Sequence, residues 1–153
     1  MKKIKIAIGS DHAGLILKNQ IKEYLKKEEY DLTDYGTYIS DSADYPIYAF
    51  KVGEAIRDNN ADFGIVCCYS GLGVCIAVNK VRGVRGVTVR TSKEAEMARR
   101  HNDANVLCFG QGFTNVDNIP NILHTFFKTQ FDGNLPDGER HKRRVSQIEN
   151  YEG

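Results

Sequence analysis

The chain has 153 residues, 41% hydrophobic and 27% charged, and its 21 Lys and Arg against 20 Asp and Glu leave a formal net charge of +1. That length suits a single domain, residues 1–153, able to bury a core without metal or disulfide staples. The near-zero charge argues against a chain-wide grip on nucleic acid or an anionic membrane. No apolar stretch approaches the roughly 18 residues of a spanning helix, and Met1-Lys2-Lys3-Ile4 is too short an apolar start for a secretion signal, so a cytoplasmic chain is expected.

Residues 4–8 (IKIAI) read as a first strand, ended by Gly9-Ser-Asp-His-Ala-Gly14. Leu17, Ile21, Tyr24 and Leu25 then recur on one face of a helix. A weak strand near 31–35 stops at Gly36. Asp44-Tyr45-Pro46 opens a second helix, since an acidic residue followed by proline is a good helix entry, and Tyr48, Val52, Ala55 and Ile56 give it an apolar stripe. Next come strand 63–68 (FGIVCC), a helix over 72–80, strand 84–89, a helix over 92–101, strand 105–109 and a helix over 116–130. Residues 132–138 (DGNLPDG) form a loop before Arg140-His-Lys-Arg-Arg144, which opens a basic C-terminal helix over about 139–150.

Strand–helix alternation five times over predicts a three-layer α/β/α sandwich, Rossmann-like, with a five-stranded parallel sheet and right-handed crossovers. The order 2-1-3-4-5 is expected. It sets the loops after strands one and three, 9–14 and 68–73, side by side at the switch point where such folds bind ligands.

Those two loops are the most chemically unusual stretches of the chain. Ser70-Gly71-Leu72-Gly73 stands directly before a helix and offers backbone N–H groups at its positive end. It lacks the spacing of a dinucleotide G-x-G-x-x-G, and Gly9 to Gly14 lacks the Lys-Ser/Thr of a P-loop. Cys68 ends the strand just ahead of that helix, where the same N–H groups favour a thiolate able to act as base or nucleophile. Cys67, its neighbour, points to the other face of the strand and reads as core. No C-x-x-C pair exists among the four cysteines, so neither a zinc site nor a disulfide is expected.

Asp11-His12 can orient hydroxyls and hold phosphate, or serve as a helix cap and a surface residue. His101, with Asn102 and Asp103, ends the fourth helix, where a histidine also answers the helix dipole. Arg140 and Arg144, spaced i, i+4, present two guanidinium groups on one side, a phosphate clamp or a solvated basic end. A small anionic, polyhydroxylated ligand is what these readings share.

Taken in order, Gly9-Ser-Asp-His-Ala-Gly14, Tyr35-Gly-Thr37, Asp44-Tyr-Pro46, Cys68-x-Ser-Gly-x-Gly73, Asn79-Lys80, His101-Asn-Asp-Ala-Asn105 and Arg140-His-x-Arg-Arg144 resemble the type B ribose-5-phosphate isomerases, in a superfamily that includes the galactose-6-phosphate isomerase subunits. The resemblance covers essentially the whole chain. It implies an aldose–ketose isomerase without metal or cofactor, a homodimer or dimer of dimers with each site built across an interface. By that resemblance Cys68 moves the proton, Ser70 is the hydroxyl residue beside it, and Gly71 and Gly73 belong to the anion hole. Asp11, His12 and Tyr45 orient substrate, His101 and Asn102 open the sugar ring from the partner subunit, and Arg140 and Arg144 hold the phosphate.

Three positions differ from the family pattern. Tyr69 stands where glycine is usual, Gly112 where many members carry arginine, and Arg90-Thr91 where small or acidic residues are common. A shifted substrate preference or slower catalysis is expected from them. Ribose 5-phosphate is the first substrate expected and a six-carbon sugar phosphate the nearest rival. A non-catalytic sugar-phosphate sensor is another reading. A flavodoxin-like nucleotide or flavin binder is a third, against which stand the absence of Trp and of a matching phosphate loop.

Overall fold

Three runs are apolar enough to lie in the middle of a sheet, and they do. β1 (Lys5–Ser10), β3 (Phe63–Cys68) and β5 (Val106–Gly110) are buried almost throughout in the computed structural model, which describes residues 2–151. The shorter runs β2 (Asp31–Asp34) and β4 (Gly86–Thr88) take the edges. Every pairing is parallel, in the order β2-β1-β3-β5-β4.

The five-stranded parallel sheet and α/β class agree with the sequence, but the expected order 2-1-3-4-5 is corrected in its last two places. Val106-Leu-Cys-Phe-Gly110 is buried at every residue and belongs between two neighbours, whereas the three residues of β4 are only half-buried. The outer edge of β4 is blunted by a side chain. Gly86 N–H donates to Asn79 Oδ1 at 2.8 Å and Asn79 Nδ2 donates to Gly86 O at 3.0 Å, as a further strand would.

α1 (Leu15–Lys26), α4 (Ser92–Asn102) and α5 (Ile119–Lys128) cover one face of the sheet, around Ile8, Ile65, Leu107 and Phe109. α2 (Tyr45–Arg57) and α3 (Leu72–Val78) cover the other, around Ala7, Val66, Cys68 and Cys108. Their starts follow local chemistry. Pro46 sits in the first turn of α2, and Thr91 with Glu94 forms a reciprocal capping box for α4. The helix expected over 116–130 opens as a 3-10 turn, Val116–Asn118, before α5. α6 (Glu139–Tyr151) is the expected basic helix and buries only His141 and Val145.

The face of α1 that buries Leu17, Ile21 and Leu25 also buries Lys18 completely. Lys18 Nζ donates to Asp34 Oδ1 at 2.8 Å and to the Thr37 carbonyl, while Lys22 Nζ meets Asp34 Oδ2 at 2.5 Å. These ties fix the turn after β2. That turn continues the pairing past β1, with Ser10 N–H donating to Gly36 O at 2.7 Å and Thr37 N–H to Ser10 O at 2.6 Å. Among the described residues no helix is long and apolar enough to cross a membrane.

Candidate active site

Cys68 closes β3 on the face covered by α2 and α3 and is 5% exposed. The Gly71 N–H donates to its Sγ at 3.2 Å. The chain can fold back this tightly because Gly71 adopts φ +76°, and a Cβ there would stand 2.8 Å from Gly110 N. Thr88 Oγ1 steadies the turn by donating to Gly71 O at 3.0 Å. Ser70 Oγ accepts the Leu72 N–H at 3.2 Å. Two of the loop's N–H groups are therefore used locally, one of them on the sulfur itself.

Gly73 lies under the ring of Tyr45; a Cβ on it would approach that ring to 2.8 Å. At the end of β1, Asp11 is buried and its Oδ1 accepts the Gly14 N–H at 3.0 Å, so this carboxylate does cap a 3-10 turn, His12–Gly14. His12 is exposed, and its Nδ1 accepts the Ala43 N–H at 3.1 Å, tying down the loop that leads to Tyr45. Cys68, Ser70, Gly71, Gly73, Tyr45, Asp11 and His12 thus gather at the carboxyl ends of the strands.

The remaining predicted residues lie elsewhere. α4 runs back against the strands, so His101 and Asn102, its last residues, emerge at their amino ends, about 15 Å from Cys68 by strand rise. The His101 ring stacks on His141 from α6, with centroids 4.4 Å apart and planes 8° from parallel. His101 Nε2 is 3.9 Å from Asp132 Oδ2, and Arg100 grips the same carboxylate through Nε at 3.2 Å and Nη2 at 3.1 Å.

Arg100 holds the Asp132 carboxyl below the usual carboxylate range, chiefly by its hydrogen bond. Burial, then Arg140 and His101, hold His141 below an ordinary histidine. Arg140 is exposed, its Nη1 donating to Asp137 O at 3.3 Å, and Arg144 is exposed one turn on. Arg100, Asp132, Asp137, Arg140 and His141 line a cleft of about 360 Å³ that Cys68 does not line. The predicted residues therefore fall into two groups, one at each end of the sheet.

The description ribose/galactose isomerase matches this chain over residues 6–148. The chain belongs to that family. Among its relatives, the probable ribose-5-phosphate isomerase B of Mycoplasma genitalium is 43% identical over 150 residues, 96% of this chain and 95% of that one. The ribose-5-phosphate isomerase B of Escherichia coli K12 is 38% identical over 144 residues, 94% and 93% of the two chains. Among solved structures, the Clostridium thermocellum ribose-5-phosphate isomerase B superposes with TM-score 0.91 at 43% identity over 97% of each chain. The Mycoplasma genitalium enzyme with bound ribulose-5-phosphate gives 0.90 at 40% identity over 99% of this chain and 98% of that one. The protein is a sugar-phosphate isomerase of this family, as the motifs imply.

Against the isomerase pattern, Tyr69 and Gly112 prove to be a matched pair. Tyr69 is not among the non-glycine residues with positive φ, which in the described chain are Asn59 and Asp103, so nothing in its backbone demands glycine. Its ring, 60% exposed, lies over Gly112, where an added Cβ would come within 2.6 Å of it, and meets Phe113 edge-on at 5.8 Å. A side chain at 112 would require this ring at 69 to swing aside. Thr91 is accounted for as the cap of α4, with its Oγ1 accepting the Glu94 N–H at 3.1 Å, and Arg90 is exposed beside it.

Two residues carry no cue in the sequence. Lys18 reads there as one more surface lysine, and Cys75 as core. Cys75 is half-buried on α3 and its thiol is pulled down to about 6, first by a hydrogen bond from the Cys108 thiol, then by Thr88 and Asn79 against the opposing effect of burial. Cys67 behaves as expected of a core thiol: burial first, then Cys68, pushes it up.

Proposed function

We propose that this isomerase interconverts D-ribose 5-phosphate and D-ribulose 5-phosphate through an enediolate, with Cys68 as the base. The observation that carries this reading is the Gly71 N–H aimed at Cys68 Sγ at the carboxyl end of β3. A thiolate there takes the C2 proton of the open-chain aldose, and the electron pair passes through C1–C2 to O1. The same proton is returned at C1, while the Ser70 hydroxyl moves a proton from O2 to O1. Gly73 brings a backbone donor to the developing oxyanion, while the Gly71 N–H stays on the sulfur. Asp11 and Tyr45 orient the hydroxyls, and His12 reaches the phosphate.

His101, with Asn102, opens the furanose, and Arg140 and Arg144 hold the phosphate, whose binding energy positions the reacting carbons. Because these groups stand at the other end of the sheet, a second copy of the chain supplies them, giving a homodimer with two shared sites. Exposed Tyr69, Leu72, Ile76 and Phe113 flank the Cys68 half-site and offer the apolar surface such a partner would cover.

The tyrosine at 69 and the missing arginine at 112 favour a second reading, a six-carbon substrate such as allose or galactose 6-phosphate. One assay separates these readings: pure protein in EDTA with each sugar phosphate, followed for ketose. Ribose 5-phosphate is expected to turn over, Cys68→Ala to lose about 10²–10⁴-fold in kcat, and Cys67→Ala to keep its activity. Tyr69→Gly is expected to raise kcat/KM for ribose 5-phosphate. Binding without turnover would leave a sensor, and loss of activity in Cys67→Ala rather than Cys68→Ala would remove Cys68 as base.

A further inference from the structure

Three separate segments meet at the amino ends of the strands: the last turn of α4, the 3-10 turn Asp132–Asn134, and the first turn of α6. They bring together His101, Asp132 and His141, whose donor atoms, one from each, all lie within 4.8 Å of one another. His141 is only 6% exposed, yet among the described residues its imidazole takes part in no hydrogen bond, only in the stack on His101. Asp132 is fixed in place by Arg100 through Nε at 3.2 Å and Nη2 at 3.1 Å. Two imidazoles and one carboxylate are a donor set suited to zinc, copper or nickel rather than magnesium or calcium.

We propose that His101, Asp132 and His141 form a binding site for a divalent transition-metal ion, and that the bound ion inhibits the isomerase by occupying His101. The second half of this statement rests on the ring-opening role given to His101 above.

The geometry defines what binding requires. Zinc bonds of about 2.0–2.2 Å in a tetrahedron set donors about 3.4 Å apart, so from separations of up to 4.8 Å the cluster closes by about 1.4 Å at most. Both ring lone pairs lie in the ring planes, and planes 8° from parallel cannot aim at one ion. One ring must turn. His101 is the one free to do so, because its side chain is 35% exposed while His141 is packed between elements. Arg100 stays on the carboxylate and orients it, in the role an outer hydrogen bond plays at other metal sites. The positive charges of Arg100 and Arg140 oppose the ion, so it binds more weakly than in a closed four-ligand site. Occupancy takes the nitrogen lone pair with which His101 would accept a proton from the sugar.

The test uses the whole EDTA-washed protein with Zn²⁺ as the probe in equilibrium dialysis and Co²⁺ as a spectroscopic substitute. About one Zn²⁺ per chain is expected, with affinity falling about 10–100-fold in Asp132→Asn and in His141→Gln. Thermal melts of both variants establish that they remain folded. The Co²⁺ protein should show nitrogen and oxygen coordination without a thiolate charge-transfer band. Zn²⁺ should slow wild-type turnover, EDTA should restore it, and His141→Gln should resist the ion relative to its own basal rate. Unchanged affinity in both folded variants, or a thiolate band, overturns the site. Binding that depends on both residues but leaves turnover untouched overturns the inhibition, and with it the role of His101, while the site itself stands.

Discussion

At the scale of single residues, the four thiols differ through their donors and their burial. Cys67 and Cys108 are fully buried, and burial is the first cause pushing each thiol up. Cys75 is half-buried, its Sγ lies 3.5 Å from Gly86 O and 3.6 Å from Asn79 Nδ2, and the Cys108 thiol first, then Thr88, draw its titration down against burial. With its titration drawn to about 6, Cys75 should be largely thiolate at neutral pH. Iodoacetamide followed by peptide mass spectrometry should therefore show Cys75 labelling whose rate rises through about pH 6 and levels off before pH 8, with Cys67 and Cys108 unlabelled. A Cys75 rate still climbing steeply at pH 9 would contradict this. The opposite faces of Cys67 and Cys68 were legible, because a strand alternates its side chains. The environment of Cys75 was not, because its donors come from β4 and β5, far along the chain. Nor was the fit of Tyr69 over Gly112, two positions that meet only when the ends of β3 and β5 lie together.

At the scale of elements, the apolar periods placed the strands and helices to within a few residues, but not the order of β4 and β5. Residues 84–89 and 105–109 look alike as strand candidates. What separates them is that Asn79 satisfies the outer edge at Gly86, leaving the inner place to the fully buried run. Lys18 was equally hidden, since one lysine beside an apolar stripe usually points to water. Burial alone would raise the Asp34 carboxyl, but Lys18, Lys22 and the Gly36 N–H together hold it below its ordinary value. A lowered carboxyl contributes stability above its unfolded pKa and loses it as pH falls through the folded one. Lys18→Met should cost about 3 kcal/mol in urea unfolding at pH 7, since it breaks a buried pair. The gap to wild type should narrow as the pH falls from about 4, the unfolded carboxyl's value, toward the lower value at which Asp34 protonates in the folded chain. A cost below about 1 kcal/mol, or a gap constant down to pH 3, would show that the pair does not hold the turn.

At the scale of the whole molecule, sequence order hid the most consequential feature. The motifs run along the chain as one series, but a parallel sheet sends the loops after its strands to one end and the loops before them to the other. Cys68 and Tyr45 go to the first end, His101 and Arg140 to the second. Each half alone has a bland explanation, a turn with a capped thiol and a basic cleft. In the proposed reaction one sugar phosphate needs both, so two chains would share each site.

Mixing two inactive variants tests this most directly. If each site is shared, Cys68→Ala and His101→Ala each damage both sites of their own homodimer, but a mixed dimer holds one intact site and one doubly damaged site. After equal amounts are unfolded together and refolded, half of the dimers are mixed with one good site of two, so about a quarter of wild-type turnover should return. Activity no higher than the mean of the two variants, in a sample shown to contain mixed dimers, would contradict a site shared between chains.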